Sequence, residues 1–112
     1  MKRHLTLLLL LIVFSGQLFG QAEQKPRILI LTDIENEPDD AESMVRFLLY
    51  SNMFDVEGLV ATTSTHLRDK TAEWRIKEIV TAYGKVRNNL LLHEKGFPTE
   101  EYLHSVTKKG IP

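Results

Sequence analysis

The 112-residue sequence contains no cysteine, so no disulfide can stabilise its fold. It also contains no internal repeat, no low-complexity tract and no Gly/Ser-rich linker. The formal net charge is only −1, and the basic residues are scattered rather than clustered as in nucleic-acid-binding proteins. We therefore expect a single domain stabilised by apolar packing or by a bound metal, with no nucleic-acid partner.

The first 22 residues are typical of a secretory signal peptide rather than of a folded domain. A basic start at 1–4 precedes an apolar run at 5–14, after which residues 15–22 become smaller and more polar. We expect cleavage near Gly20–Ala22 and a secreted or periplasmic protein with no membrane contact after cleavage. A retained membrane anchor is the alternative, although the apolar run is short for a bilayer span. Removing the two basic residues of the leader from 14 leaves 12 against 15 acidic residues, a net charge of −3.

Five carboxylates occur within eight residues, directly after a short apolar run at 28–31. The apolar run predicts a strand buried on both faces, as in parallel sheets, where ligands bind beyond the carboxyl ends of the strands. The carboxylates lie at that end, and they are Asp33, Glu35, Glu37, Asp39 and Asp40. Because like charges this close repel each other, a hard cation with oxygen ligands is expected among them. An EF-hand is excluded, since Pro38 occupies the position of its glycine.

Helices and strands are predicted to alternate behind the acids. The predicted elements are a helix from Pro38 with Asp39 as N-cap, a strand at 54–62, a helix from Ala72 to Gly84, a strand at 89–93 and a helix capped by Thr99 and ended by Gly110. Three strand–helix units predict an α/β fold with a Rossmann-like parallel sheet and flanking helices. Because three strands make a thin sheet, we expect residues 23–112 to be the amino-terminal part of a larger domain, with a complete small domain as the alternative.

The acidic stretch resembles the amino-terminal signature of nucleoside hydrolases, which is Asp-x-Asp-Pro-Gly-x-Asp-Asp-Ala after a first buried strand. Residues 33–41 align with this signature without a gap, and the four family acids are matched by Asp33, Glu35, Asp39 and Asp40. Residues 37–59, 83–86 and 89–93 are similar to the nucleoside-hydrolase-like domain of secreted bacterial proteins of the cellulose-binding type. The resemblance implies a calcium-binding domain that hydrolyses glycosyl or N-ribosyl bonds.

The resemblance also implies a role for each matched residue. Glu35 would be a calcium ligand and the general base for the attacking water, and Asp33 would support both tasks from the end of the strand. Asp40 would hold calcium, Asp39 would bind sugar hydroxyls, and His66 falls near a sugar-binding position after the second strand. Such a ring of carboxylates can stabilise the positive charge that develops on a sugar during cleavage.

Two positions depart from the family pattern and favour a second hypothesis. Asn36-Glu37 replaces Pro-Gly, so the loop lacks glycine's backbone freedom, and Glu35 replaces an aspartate. The second hypothesis is a carbohydrate-binding domain that holds a sugar or a cellulose-type polysaccharide without turnover. A third is a truncated chain with no activity of its own.

Plainer interpretations of single residues remain open beside the functional ones. They are helix capping for Asp39, compensation of the helix dipole for Asp40, a polar loop for His66, and helix packing rather than a sugar platform for Trp74.

Overall fold

The computed structural model describes residues 24–111, so the predicted leader lies outside the described residues. The elements in chain order are β1 (Arg27–Thr32), α1 (Pro38–Leu49), a 3₁₀ turn (Ser51–Met53), β2 (Asp55–Ala61), α2 (Glu73–Leu91), α3 (Glu100–Val106) and β3 (Thr107–Lys109). Within 24–111, no helix has both the length and the apolar character that a membrane span needs.

The three strands form one parallel sheet in the order β1-β2-β3, which confirms the predicted α/β class with a Rossmann-like sheet. β1 and β2 pair along their whole length, from Arg27 opposite Asp55 to Thr32 opposite Ala61. Beyond the last pair, the backbone N–H of Thr62 donates to the carbonyl oxygen of Thr32 at 2.7 Å. The carboxyl ends of these two strands are therefore adjacent, as the sequence predicted.

The core lies between the sheet and the helices. Its largest fully buried side chains are those of Ile34, Leu48, Val56, Leu59, Ile76, Val80 and Leu103. The opposite face of β1 is open, because Leu29 and Leu31 are 58% and 63% exposed. The prediction that β1 is buried on both faces is therefore wrong for this part of the chain. The helices α1 and α2 pack against each other on one side of the sheet, which is the arrangement expected for right-handed crossovers in the strand order β1-β2-β3.

The predicted third strand at 89–93 is wrong, because α2 continues through Gly84 to Leu91. The apolar side of α2 persists past the glycine, with Tyr83 buried and Leu90 packed against the core. Gly84 lies inside α2 where the flexible end of the Glu100 side chain of α3 approaches it, so the glycine does not end the helix.

The observed third strand, Thr107–Lys109, pairs with β2 and carries no apolar residue. Thr99 caps the preceding helix as predicted, its Oγ1 accepting the N–H of Tyr102 at 3.1 Å. That helix ends at Val106 rather than at the predicted Gly110, because the chain turns there into the sheet. Gly110 lies so close to β2 that a Cβ atom would sit 2.6 Å from the carbonyl oxygen of Ala61.

The burial of Leu103 predicts a large loss of stability when its side chain is shortened. Leu103 is 0% exposed, and it anchors the seven-residue α3 in the core. We expect Leu103→Ala to lower the free energy of unfolding by about 2–5 kcal/mol, through lost apolar contact and the cavity left behind. The control is Leu92→Ala, at an 83% exposed position just after α2, where the change should be within about 0.5 kcal/mol. Equal denaturation midpoints for the two variants would contradict this packing.

Candidate functional site

The acidic loop, residues 33–37, connects β1 to α1 at the carboxyl edge of the sheet. The loop begins with a turn in which the N–H of Asn36 donates to the carbonyl oxygen of Asp33 at 3.0 Å. Ile34 is completely buried, and its side chain fixes the start of the loop in the core. Glu35, the next residue, has a φ of +79°, a left-handed conformation that costs a non-glycine residue about 1–2 kcal/mol. The loop therefore holds Glu35 in a strained position, as is common at functional sites.

The first helix begins with Glu37 as N-cap, so the prediction that Asp39 is the N-cap is wrong. Pro38 occupies the first helical position, which proline favours because its ring fixes φ and its missing N–H would have no partner there. The carboxylate of Asp40 accepts a hydrogen bond from the N–H of Glu37 at 3.1 Å, as in a capping box at the start of a helix. Asp39 is exposed on the first turn.

An arginine that was not identified from the sequence contacts the predicted catalytic residue. Arg75 lies in the first turn of α2, and its Nε donates to Oε1 of Glu35 in an ion pair. Its Nη1 donates to Oε2 of Glu78 at 2.8 Å, and the guanidinium carbon lies 4.6 Å from the ring centroid of Trp74. The hydrogen bond that Arg75 donates to Glu35 is the main cause that raises the pKa of Arg75 above its ordinary value, so this side chain stays charged.

The segment after β2 forms a compact polar loop that includes His66. The hydroxyl of Ser64 accepts the backbone N–H groups of His66 and Leu67, each at 3.1 Å. The ring of His66 is exposed, and across residues 24–111 no hydrogen bond joins it to the acidic loop. Because β1 and β2 are adjacent, His66 lies at the same edge of the sheet as Asp33 and Glu35. Within residues 24–111, no hydrogen bond brings its side chain closer to these acids.

The carboxylates of the acidic loop and of the first turn of α1 bind different partners. Glu35 is bound by Arg75 and Asp40 by the N–H of Glu37, while Asp33 lies half-buried at the end of β1. No three Asp, Glu or His side chains of the described range are close enough to share one ion. In this arrangement the acids do not fit a calcium site, and calcium remains a prediction of the resemblance.

Two shallow depressions lie beside the helices α1 and α2. One has a volume of about 260 Å³ and lies between β1 and α1, where Thr32, Asp40 and Ser43 contribute to its wall. The other, of about 470 Å³, follows the outer face of α2 and begins at Trp74. Trp74 is 48% exposed, so its ring is not the packing residue that the helical pattern suggested.

The parallel sheet and the acidic loop at its carboxyl edge define an α/β domain of the nucleoside-hydrolase-like class. The profile of the family described as cellulose-binding Sde182, nucleoside hydrolase-like domain, matches residues 27–112. The chain therefore belongs to this family, as the resemblance indicated.

A solved structure supports the same assignment. It is a nucleoside hydrolase-related hypothetical protein from Saccharophagus degradans that is associated with carbohydrate metabolism. The two share 34% sequence identity with a TM-score of 0.72, over 78% of this chain and 21% of that one. The chain thus spans about a fifth of the length of this relative. None of the curated proteins compared with the chain matches it.

Proposed function

We propose that this chain forms part of a secreted carbohydrate-binding domain that contacts a cellulose-type polysaccharide at the carboxyl edge of its sheet. The half-exposed indole of Trp74, oriented by Arg75 beside the acidic loop, is the observation that carries this proposal. A sugar ring presents an apolar C–H face and a rim of hydroxyls. An indole ring can pack against the C–H face, and carboxylate oxygens can accept hydrogen bonds from the hydroxyls.

The family context supports the choice of a polysaccharide. Its description names cellulose binding, and the solved relative is associated with carbohydrate metabolism. The groove that begins at Trp74 is open and lined by side chains able to form hydrogen bonds, among them Lys77, Glu78 and Thr81. An open groove suits a long polymer better than a small molecule, which is usually enclosed by its pocket.

A second candidate function, hydrolysis of a glycosyl or N-ribosyl bond, is favoured by the strained backbone of Glu35. The resemblance gives this position to the general base, and its left-handed backbone, with a φ of +79°, is a strained conformation of the kind found at functional sites. An ionised carboxylate there can accept a proton from water or stabilise positive charge on a sugar ring. In this hypothesis a sugar or nucleoside is the substrate, and calcium together with Asp33, Asp39, Asp40 and His66 completes the site.

Replacing the indole tests the binding proposal. In the full-length protein, Trp74→Ala should weaken binding to insoluble cellulose about fivefold or more, because a stacked ring contributes roughly 1 kcal/mol or more. Depletion isotherms with microcrystalline cellulose give the affinities. The matched control is Tyr50→Ala, since Tyr50 is a 63% exposed aromatic residue that ends α1 at the opposite edge of the sheet. Unchanged binding of Trp74→Ala would contradict the proposal.

Replacing the carboxylate of Glu35 separates hydrolysis from binding. If Glu35 is the base, Glu35→Gln in the full-length protein should lower turnover of nucleosides or glycosides by about two decades and leave affinity nearly intact. If the domain only binds sugars, neither the native protein nor the variant will release sugar. Turnover that survives Glu35→Gln would exclude this residue as the base.

A further inference from the structure

The acidic loop already contacts a positive charge supplied by the protein itself. A nearby cation stabilises ionised carboxylates, and the guanidinium of Arg75 is hydrogen-bonded to Glu35. The pair is only partly hydrated, because the side chains of Arg75 and Glu35 are 35% and 30% exposed. A metal was predicted because the carboxylates need a positive charge nearby. At Glu35, Arg75 supplies that charge.

Three contacts hold the guanidinium in place. Glu35 binds it from the loop, Glu78 binds it from the next turn of α2, and the ring of Trp74 lies beneath it. A planar guanidinium can make two directional ion pairs and stack on an aromatic ring at the same time, which an ammonium group cannot do equally well. The arrangement is that of a fixed cation rather than of a mobile surface side chain.

A divalent ion at this loop would have to displace these contacts. It would need to take Glu35 from Arg75 and Asp40 from the N–H of Glu37, and a third carboxylate would have to move towards both. We propose that Arg75 is the resident cation of the acidic loop and takes the place that the family resemblance gives to calcium. The loop then keeps its conformation without a divalent ion. This inference agrees with the binding proposal, whereas the hydrolysis hypothesis, which includes calcium in the site, would have to operate without it.

Calcium titration of an Arg75 variant tests this proposal. The full-length protein, Arg75→Gln and the control Arg46→Gln are stripped with chelator and then titrated with calcium chloride in a calorimeter. Arg46 is a matched control because it is an exposed arginine on the last turn of α1, away from the acidic loop. Loss of the competing guanidinium should tighten calcium binding by about fivefold or more in Arg75→Gln, the lower end of typical couplings between two ligands. The native protein and Arg46→Gln should bind calcium equally weakly.

Melting temperatures provide the second measurement. The native protein should melt at the same temperature in chelator and in calcium, whereas Arg75→Gln should melt lower in chelator and recover in part with calcium. If Arg75→Gln does not fold in chelator, folding of Arg75→Lys, which keeps the charge, would support the proposal. Failure of both to fold, even with calcium, would contradict it. Calcium binding by the native protein that Glu35→Gln abolishes would overturn it, as would equal calcium affinities of Arg75→Gln and Arg46→Gln.

Discussion

The parallel pairing of β1 with β2 is the constraint on which the candidate site depends. The pairing places Thr32 opposite Ala61 and continues to Thr62, so the chain leaves both strands at one edge of the sheet. The loop after β1 carries the carboxylates, and the loop after β2 leads into α2, whose first turn carries Arg75. Two segments forty residues apart thereby come within hydrogen-bonding distance.

The same constraint accounts for what the sequence could predict. The apolar run before the acids, the proline at the start of α1 and the threonine cap of α3 are local signals, and the structure confirms the elements that they mark. The α/β class follows from the alternation of these elements. The position of the acids at the carboxyl edge follows from strand direction alone, so it too could be predicted.

The errors arose where tertiary contacts override local signals. Gly84 is a helix-ending residue by propensity, but here it is the point where α3 approaches α2. The third strand has the sequence Thr-Lys-Lys, and it is a strand only because Leu59 and its neighbours pair with it. The pairing of Arg75 with Glu35 gives no local signal either. The only clue in the sequence is that a basic residue, Arg75, lies in the first turn of α2, the helix that follows the loop after β2.

The electrostatics of the edge connect the fold to its function. An ion pair of Glu35 with Arg75 provides a fixed carboxylate, a fixed guanidinium and a stacked, half-exposed indole in one place. In the proposed function these groups contact both the hydroxyls and the apolar face of a sugar, and in the proposal above Arg75 takes the place of a metal. The residue that forms this ion pair also has a strained, left-handed backbone.

A double-mutant cycle between Glu35 and Arg75 tests this account most directly. The free energies of unfolding are measured for the full-length protein, Glu35→Gln, Arg75→Gln and the double variant, in chelator. If the two side chains form the ion pair that organises the edge, the effects are not additive, and the double variant is less destabilised than the sum of the single variants. Additive effects within experimental error would show that Arg75 does not stabilise the acidic loop through Glu35, and would contradict the account.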